Sequence, residues 1–204
     1  MENRIHISKG NTKLGAIANI SLPPVCTCRP DAPCATDGCY ALKFYKMYPA
    51  CRNAWDENLD YYNADADGFF ADLEREICTQ RYFRWFVSGD MPTADFFERM
   101  VALAKALPKT DFLCFTKQFE IVNEYCKANG GRSAVPSNIH LMFSGWEGLE
   151  VPNPYNFPST AVFKDIAEVE DDWKICGGNC PACVCRNTGC WTLKDGETIA
   201  FAKH

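Results

Sequence analysis

Apolar residues along this chain follow two alternating rhythms. Short runs rich in β-branched and aromatic residues read as strands at 14–22, 84–90, 111–116, 138–144, 160–164 and 199–202. Longer stretches carry apolar residues at helical spacing. Phe44, Met47, Cys51 and Trp55 share one stripe of a helix predicted from residue 40 to 62, and Phe69, Leu73 and Ile77 mark another over 66–80. Thr93 or Asp95 caps a helix that Pro108 breaks, and Phe119, Val122 and Cys126 define one over 118–128, stopped by Asn129-Gly130-Gly131. Strands separated by helices predict right-handed crossovers and a parallel sheet. It is either open or curled into an incomplete (β/α) barrel of about six strands with helices outside. No repeat or linker divides the chain, so residues 1–204 are expected to form a single α/β domain.

In such sheets, ligands sit beyond the carboxyl ends of the strands. The residues just past each strand are a first cysteine loop over 26–39, Ser88-Gly89-Asp90, Thr116-Lys117, Ser144-Gly145-Trp146 and Lys164-Asp165. Each is an ordinary turn sequence by itself, but together they place polar groups on one rim. Asp90 and Lys117 are the candidate catalytic groups. Ser88, Gly89, Asp90, Ser144 and Trp146 are the candidate cofactor-binding residues. His140 and His204 are expected to be a satisfied core histidine and a frayed end, and Trp191 is either core or a stacking surface.

Composition narrows the chemistry. Apolar residues are 47% and charged residues 23%, too hydrophobic for a disordered chain, and the net charge of −5 gives no support to sequence-blind nucleic-acid binding. Arg81, Arg84, Lys105, Lys109, Lys117 and Lys127 are scattered and fit a solvated face better than a nucleic-acid surface. Glu168, Glu170, Asp171 and Asp172 read as a solvated acidic turn. With no apolar run resembling a signal or a membrane span, the chain is expected in the cytoplasm, with no membrane association.

The 13 cysteines cannot all pair within one chain. Cys51, Cys78, Cys114 and Cys126 lie among apolar residues and are expected to be small buried hydrophobes. The other nine form two loops, Cys26-x-Cys28-x5-Cys34-x4-Cys39 and, over 176–190, Cys176-x3-Cys180-x2-Cys183-x-Cys185-x4-Cys190. Thiols one to five residues apart in Gly- and Pro-rich loops converge on a metal without strain. The compact second run, which lacks histidine, favours iron–sulfur over zinc, with a zinc knuckle as the alternative. Both loops are expected at the C-terminal rim, gathered at one mouth, with one or two 4Fe–4S clusters.

Cys39-Tyr40-Ala41, the run from Phe86 to Asp90, Phe115-Thr116-Lys117, the run from Asn138 to Trp146, the cysteine cluster and the segment from Ile199 to His204 occur in this order in a phage and prophage family. The chain resembles the phage gene-product-88-like proteins over nearly its whole length. More loosely, it is similar to phage-borne radical-S-adenosylmethionine-like proteins, and Cys176-x3-Cys180-x2-Cys183 matches the spacing of their cluster triple. That resemblance implies a cluster on Cys28, Cys34 and Cys39, with Ser88-Gly89-Asp90 receiving the methionine end of S-adenosylmethionine. It further implies an auxiliary cluster or lid from the C-terminal cysteines, a bacterial host cytoplasm and a reductase partner. A non-catalytic zinc or iron–sulfur protein binding nucleic acid or a partner, or an electron carrier, is the alternative.

Overall fold

A computed structural model describes residues 4–36 and 38–203; His204 lies outside them. One eight-stranded sheet comprises β1 (Ile7–Ser8), β2 (Ala18–Ile20), β3 (Tyr82–Trp85), β4 (Asp111–Thr116), β5 (Ile139–Ser144), β6 (Ser159–Phe163), β7 (Lys174–Ile175) and β8 (Thr198–Ala202). The order is β1-β2-β3-β4-β5-β6-β8-β7, and only the β1–β2 pair is antiparallel. The sheet is open, with β1 and β7 at its edges. The helices are α1 (Tyr40–Met47), α2 (Pro49–Ala64), α3 (Ala66–Ile77), α4 (Ala94–Ala106), α5 (Phe119–Ala128) and α6 (Cys180–Arg186). None is long and apolar enough to cross a membrane among the described residues.

The two-residue period of the central strands divides two apolar cores. Phe83, Trp85, Phe112, Cys114, Ile139, Leu141 and Phe143 face the layer made by α2 to α5. Within that layer Phe96 touches the rings of Tyr62, Phe70 and Trp85 at centroid distances of 4.7, 5.1 and 5.9 Å. On the inner face, Leu113 and Met142 pack with Leu14, Ile17 and Trp191, joined by Cys180, Cys183 and Cys190. Both faces of the central strands are therefore covered, which explains why they read as nearly continuous apolar runs.

The structure corrects several expectations. The helix predicted over 40–62 is two helices, because Pro49 has no N–H to donate and drives Tyr48 into extended backbone (φ −116°, ψ 100°). Of residues 14–22 only Ala18–Ile20 joins the ladder, and β1 and β7, with two residues each, are too short to carry a period. Cys114 and Cys126 are buried, whereas Cys51 is half-buried and Cys78 is exposed. Cys78 caps α3 beyond its last turn, where its thiol reaches the Arg75 carbonyl at 3.3 Å rather than the core. Trp191 is core, edge-on to Tyr82 and His140, and half-buried His140 pairs with Asp111 at 3.2 Å. The acidic run is solvated, as expected.

Asn58 holds the antiparallel edge. It is fully buried on α2; its Oδ1 accepts from the His6 N–H at 2.8 Å, and its Nδ2 donates to the carbonyls of His6 and Ser21, each at 3.0 Å. Asn58→Ala strands these three backbone groups and is expected to cost about 2 kcal/mol, read as a lower urea midpoint. An unchanged midpoint would show that β1 does not depend on this side chain.

Candidate functional site

Beyond the carboxyl ends of the strands lies a cavity of about 260 Å³. Ser88, Gly89, Asp90, Lys117, Ser144 and Trp146 all line it, as do Cys28, Cys34 and Cys39. Of the rim expected from the strand order, Ser88-Gly89-Asp90, Lys117, Ser144 and Trp146 share this wall, whereas Lys164 and Asp165 do not line it. Its assembly depends on close backbone approach. Gly89 has φ +75°, and a Cβ there would lie 2.7 Å from both the Leu22 carbonyl and Thr27 Oγ1. The turn after β3 thereby docks on the first cysteine loop: the Leu22 N–H donates to the Ser88 carbonyl at 3.0 Å and the Asp90 N–H to Thr27 Oγ1 at 3.1 Å. Val25, just before that loop, and Phe86, before the turn, both take positive φ, at 74° and 52°, conformations that residues with a Cβ rarely adopt.

Asp90 ties β3 to β4. Its Oδ1 accepts from the Met91 N–H at 2.8 Å and the Thr116 hydroxyl at 2.7 Å, and its Oδ2 accepts from the Lys117 N–H at 2.7 Å. Burial nevertheless pushes its carboxyl up to about 6, against the pull of those hydrogen bonds. The Lys117 ammonium donates to Ser144 Oγ at 2.7 Å and lies 5.6 Å from the Trp146 ring centroid. Ser88 is only 3% exposed, and its Oγ has no partner.

The nine loop cysteines do not share one meeting place. Cys28, Cys34 and Cys39 form one group; burial pushes the Cys28 thiol up to about 12, and Asp90, Cys34 and Cys39 add to the rise. Cys176, Cys180, Cys183 and Cys190 form another, where burial pushes Cys190 up to about 12, Cys176, Cys180 and Cys183 add to it and Arg84 opposes it. The second group belongs to the segment that leaves β7 and crosses the inner face of the sheet, packing on the smaller apolar core. Cys26 is exposed, its thiol directed to the Pro23 carbonyl at 3.6 Å, and Cys185 is exposed on α6. No cysteine is in a disulfide. As they stand, no three His, Cys, Asp or Glu side chains among the described residues are drawn together closely enough to hold a metal ion.

Three residues of the site escaped the sequence reading. Thr27, 2% exposed, sits between Cys26 and Cys28 and bridges their loop to Asp90. Arg84, expected on a solvated face, instead points inward and stacks on Phe115 with its guanidinium 4.4 Å from the ring centroid. Lys13, which precedes β2, lies 5.0 Å from the Phe201 ring centroid. The two-residue alternation of β3 carried the signal for Arg84, because it shares a face with Tyr82.

No curated protein and no solved structure matches the chain. The family model described as gene product 88 matches residues 3–198, and the chain belongs to that family.

Proposed function

We propose that this protein is an iron–sulfur enzyme of the radical-S-adenosylmethionine type, with a 4Fe–4S cluster held by Cys28, Cys34 and Cys39. One observation carries the proposal. Three free thiols from the loop after the first parallel strand line the same cavity as Ser88, Gly89 and Asp90. The chemistry of the donor set suits the group, being all-sulfur, partly buried and beside Lys117, whose charge opposes the rise of the Cys34 pKa, and binding would have to draw the three thiols closer than they stand. The Leu42 N–H also donates to Cys39 Sγ at 3.4 Å and so fixes where that sulfur sits at the start of α1. Three protein ligands leave one iron of such a cluster open to the cofactor. When bound and reduced by a partner reductase, such a cluster would supply the one electron needed for reductive cleavage of the sulfonium, with methionine as the leaving group.

The chain's own residues orient and enclose. Gly89 lets the turn pack directly on Leu22 and Thr27 and so holds Ser88 at the cavity, where its Oγ offers an unused hydrogen-bonding group. Lys117, fixed by Ser144, places an ammonium proton at the cavity wall, with Trp146 beside it to exclude water. Asp90 acts through Lys117 and Thr116 and is a positioning residue. The second thiol group provides four sulfurs, enough for an auxiliary cluster or a tetrahedral zinc site. An electron carrier would have no use for the cavity.

Anaerobic reconstitution with iron and sulfide is expected to give brown protein absorbing near about 400 nm. S-adenosylmethionine and a strong reductant should then release 5′-deoxyadenosine. Uptake of zinc without iron, or an intact cluster that never cleaves the sulfonium, overturns the proposal.

A further inference from the structure

The cavity has the opposite charge sign to the chain around it. The protein carries −5 overall, yet Lys13, Arg84, Lys117 and Lys203 line this one cavity. Asp90 is the only carboxylate among its described lining residues, and its oxygens already accept from Met91, Thr116 and Lys117. Cations in a low-dielectric concavity focus the field and raise the local concentration of anions.

Two further observations point to a ligand. The Nε of Arg84 and the Oγ of Ser88 are both buried without a hydrogen-bond partner, and both residues line the cavity. Neither Arg84 nor Lys13 forms an ion pair with a carboxylate among the described residues; their cationic groups lie over Phe115 and Phe201 instead. Those two rings meet edge to face at 5.9 Å and form an apolar wall beside the charges. Buried polar groups left unpaired are costly, so a site that retains two of them is completed by something that supplies acceptors.

We propose that the cavity binds a small organic phosphate monoester. Its phosphate meets Arg84, Lys13 and Ser88, and its apolar body lies against Phe115 and Phe201. A dianion with three peripheral oxygens matches two cations and a hydroxyl better than a carboxylate does, and the planar guanidinium fork suits phosphate geometry. The proposal names the substrate class of the enzyme above and rests on that reading only in calling the bound molecule a substrate.

The test is calorimetric titration of the metal-free full-length chain at low ionic strength with phenyl phosphate, phenylacetate and benzyl alcohol. Phenyl phosphate is expected to bind at least about tenfold more tightly than benzyl alcohol and to weaken as salt rises. Arg84→Met, which keeps an apolar stem over Phe115 but loses the charge, should lose about tenfold, and Arg84→Lys should recover part of it. Circular dichroism identifies any variant that has not folded, and Lys13→Met then provides the second reading, with a similar loss expected. Equal affinity for ester and alcohol overturns the proposal, as does tighter binding of phenylacetate than of phenyl phosphate. It is also overturned if Arg84→Met leaves binding unchanged and alters only metal uptake by the second thiol group. Because the titration uses no iron, phosphate binding without cluster assembly would remove the iron–sulfur reading alone.

Discussion

If the proposed cluster is present, changing Cys28, Cys34 and Cys39 together to serine is expected to abolish 5′-deoxyadenosine release and all iron uptake in the cavity, while any metal that the second thiol group takes up persists. Serine hydroxyls do not ionise at neutral pH and are poor ligands for iron in a sulfide cluster. The separation follows from the placement of the sulfurs. Cys28 is influenced by Cys34 and Cys39 from its own loop, whereas Cys190 is influenced by Cys176, Cys180 and Cys183 on the inner face of the sheet. None of the three cavity cysteines belongs to either apolar core, so the melting temperature of the metal-free triple variant should stay within a few degrees of the parent. The reciprocal variant, with serine at 176, 180, 183 and 190, should keep the cavity iron. Its metal-free fold should be weaker, because Cys180, Cys183 and Cys190 pack against Leu14 and Trp191. Serine at exposed Cys26 and Cys185 should leave metal content unchanged. Full iron content in the triple variant would place the cluster elsewhere.

The cavity wall was legible in the sequence because a topological rule did the placing. Once strands alternate with helices, the residues following each strand must share a rim, and Ser88, Asp90, Lys117, Ser144 and Trp146 could be named without any contact being known. Chain order along β2 to β6 matches spatial order, so no crossover scrambled that inference. What the rule could not supply was depth. Arg84 was marked only by sharing a face of β3 with Tyr82, and Lys13 carried no mark at all, since a charged residue in a turn reads the same whether it faces a cavity or solvent. The fate of the second cysteine loop was hidden for a similar reason. Its local spacing says that the sulfurs can converge, but only the apolar contacts of Cys180, Cys183 and Trp191 with Leu14 and Met142 carry the segment onto the inner face. Thr27 left no signal, because a threonine between two cysteines looks like an ordinary loop residue until its hydroxyl is seen to accept from the Asp90 N–H and to donate to the Pro23 carbonyl at 2.7 Å.

Asp90 should write its burial into the pH dependence of stability. Its carboxyl titrates near about 6 in the folded metal-free chain against 3.8 for an unperturbed aspartate, so between those values the folded state holds a proton that the unfolded state has released. Its contribution to stability is then fully present below about pH 4 and is lost as pH rises through 6, a change of about 3 kcal/mol at one site. Other carboxylates obscure this in a single titration. The difference in unfolding free energy between the parent and Asp90→Asn, measured in urea from pH 4 to 7, cancels them. The parent is expected to fall relative to the variant by about 3 kcal/mol across that window. The comparison at low pH has its own content. An amide oxygen can take the place of Oδ1 toward Met91 and Thr116, but the amide nitrogen then faces the Lys117 N–H, so near pH 4 the variant should be the weaker by about 1–3 kcal/mol. Asp90→Ala, which leaves all three donors without an acceptor, should be weaker still and should loosen the junction between β3 and β4 that carries Lys117. A flat difference across the window would mean that water reaches the carboxylate, and that the wall joining the cysteine loop to Lys117 is more open than its hydrogen bonds imply.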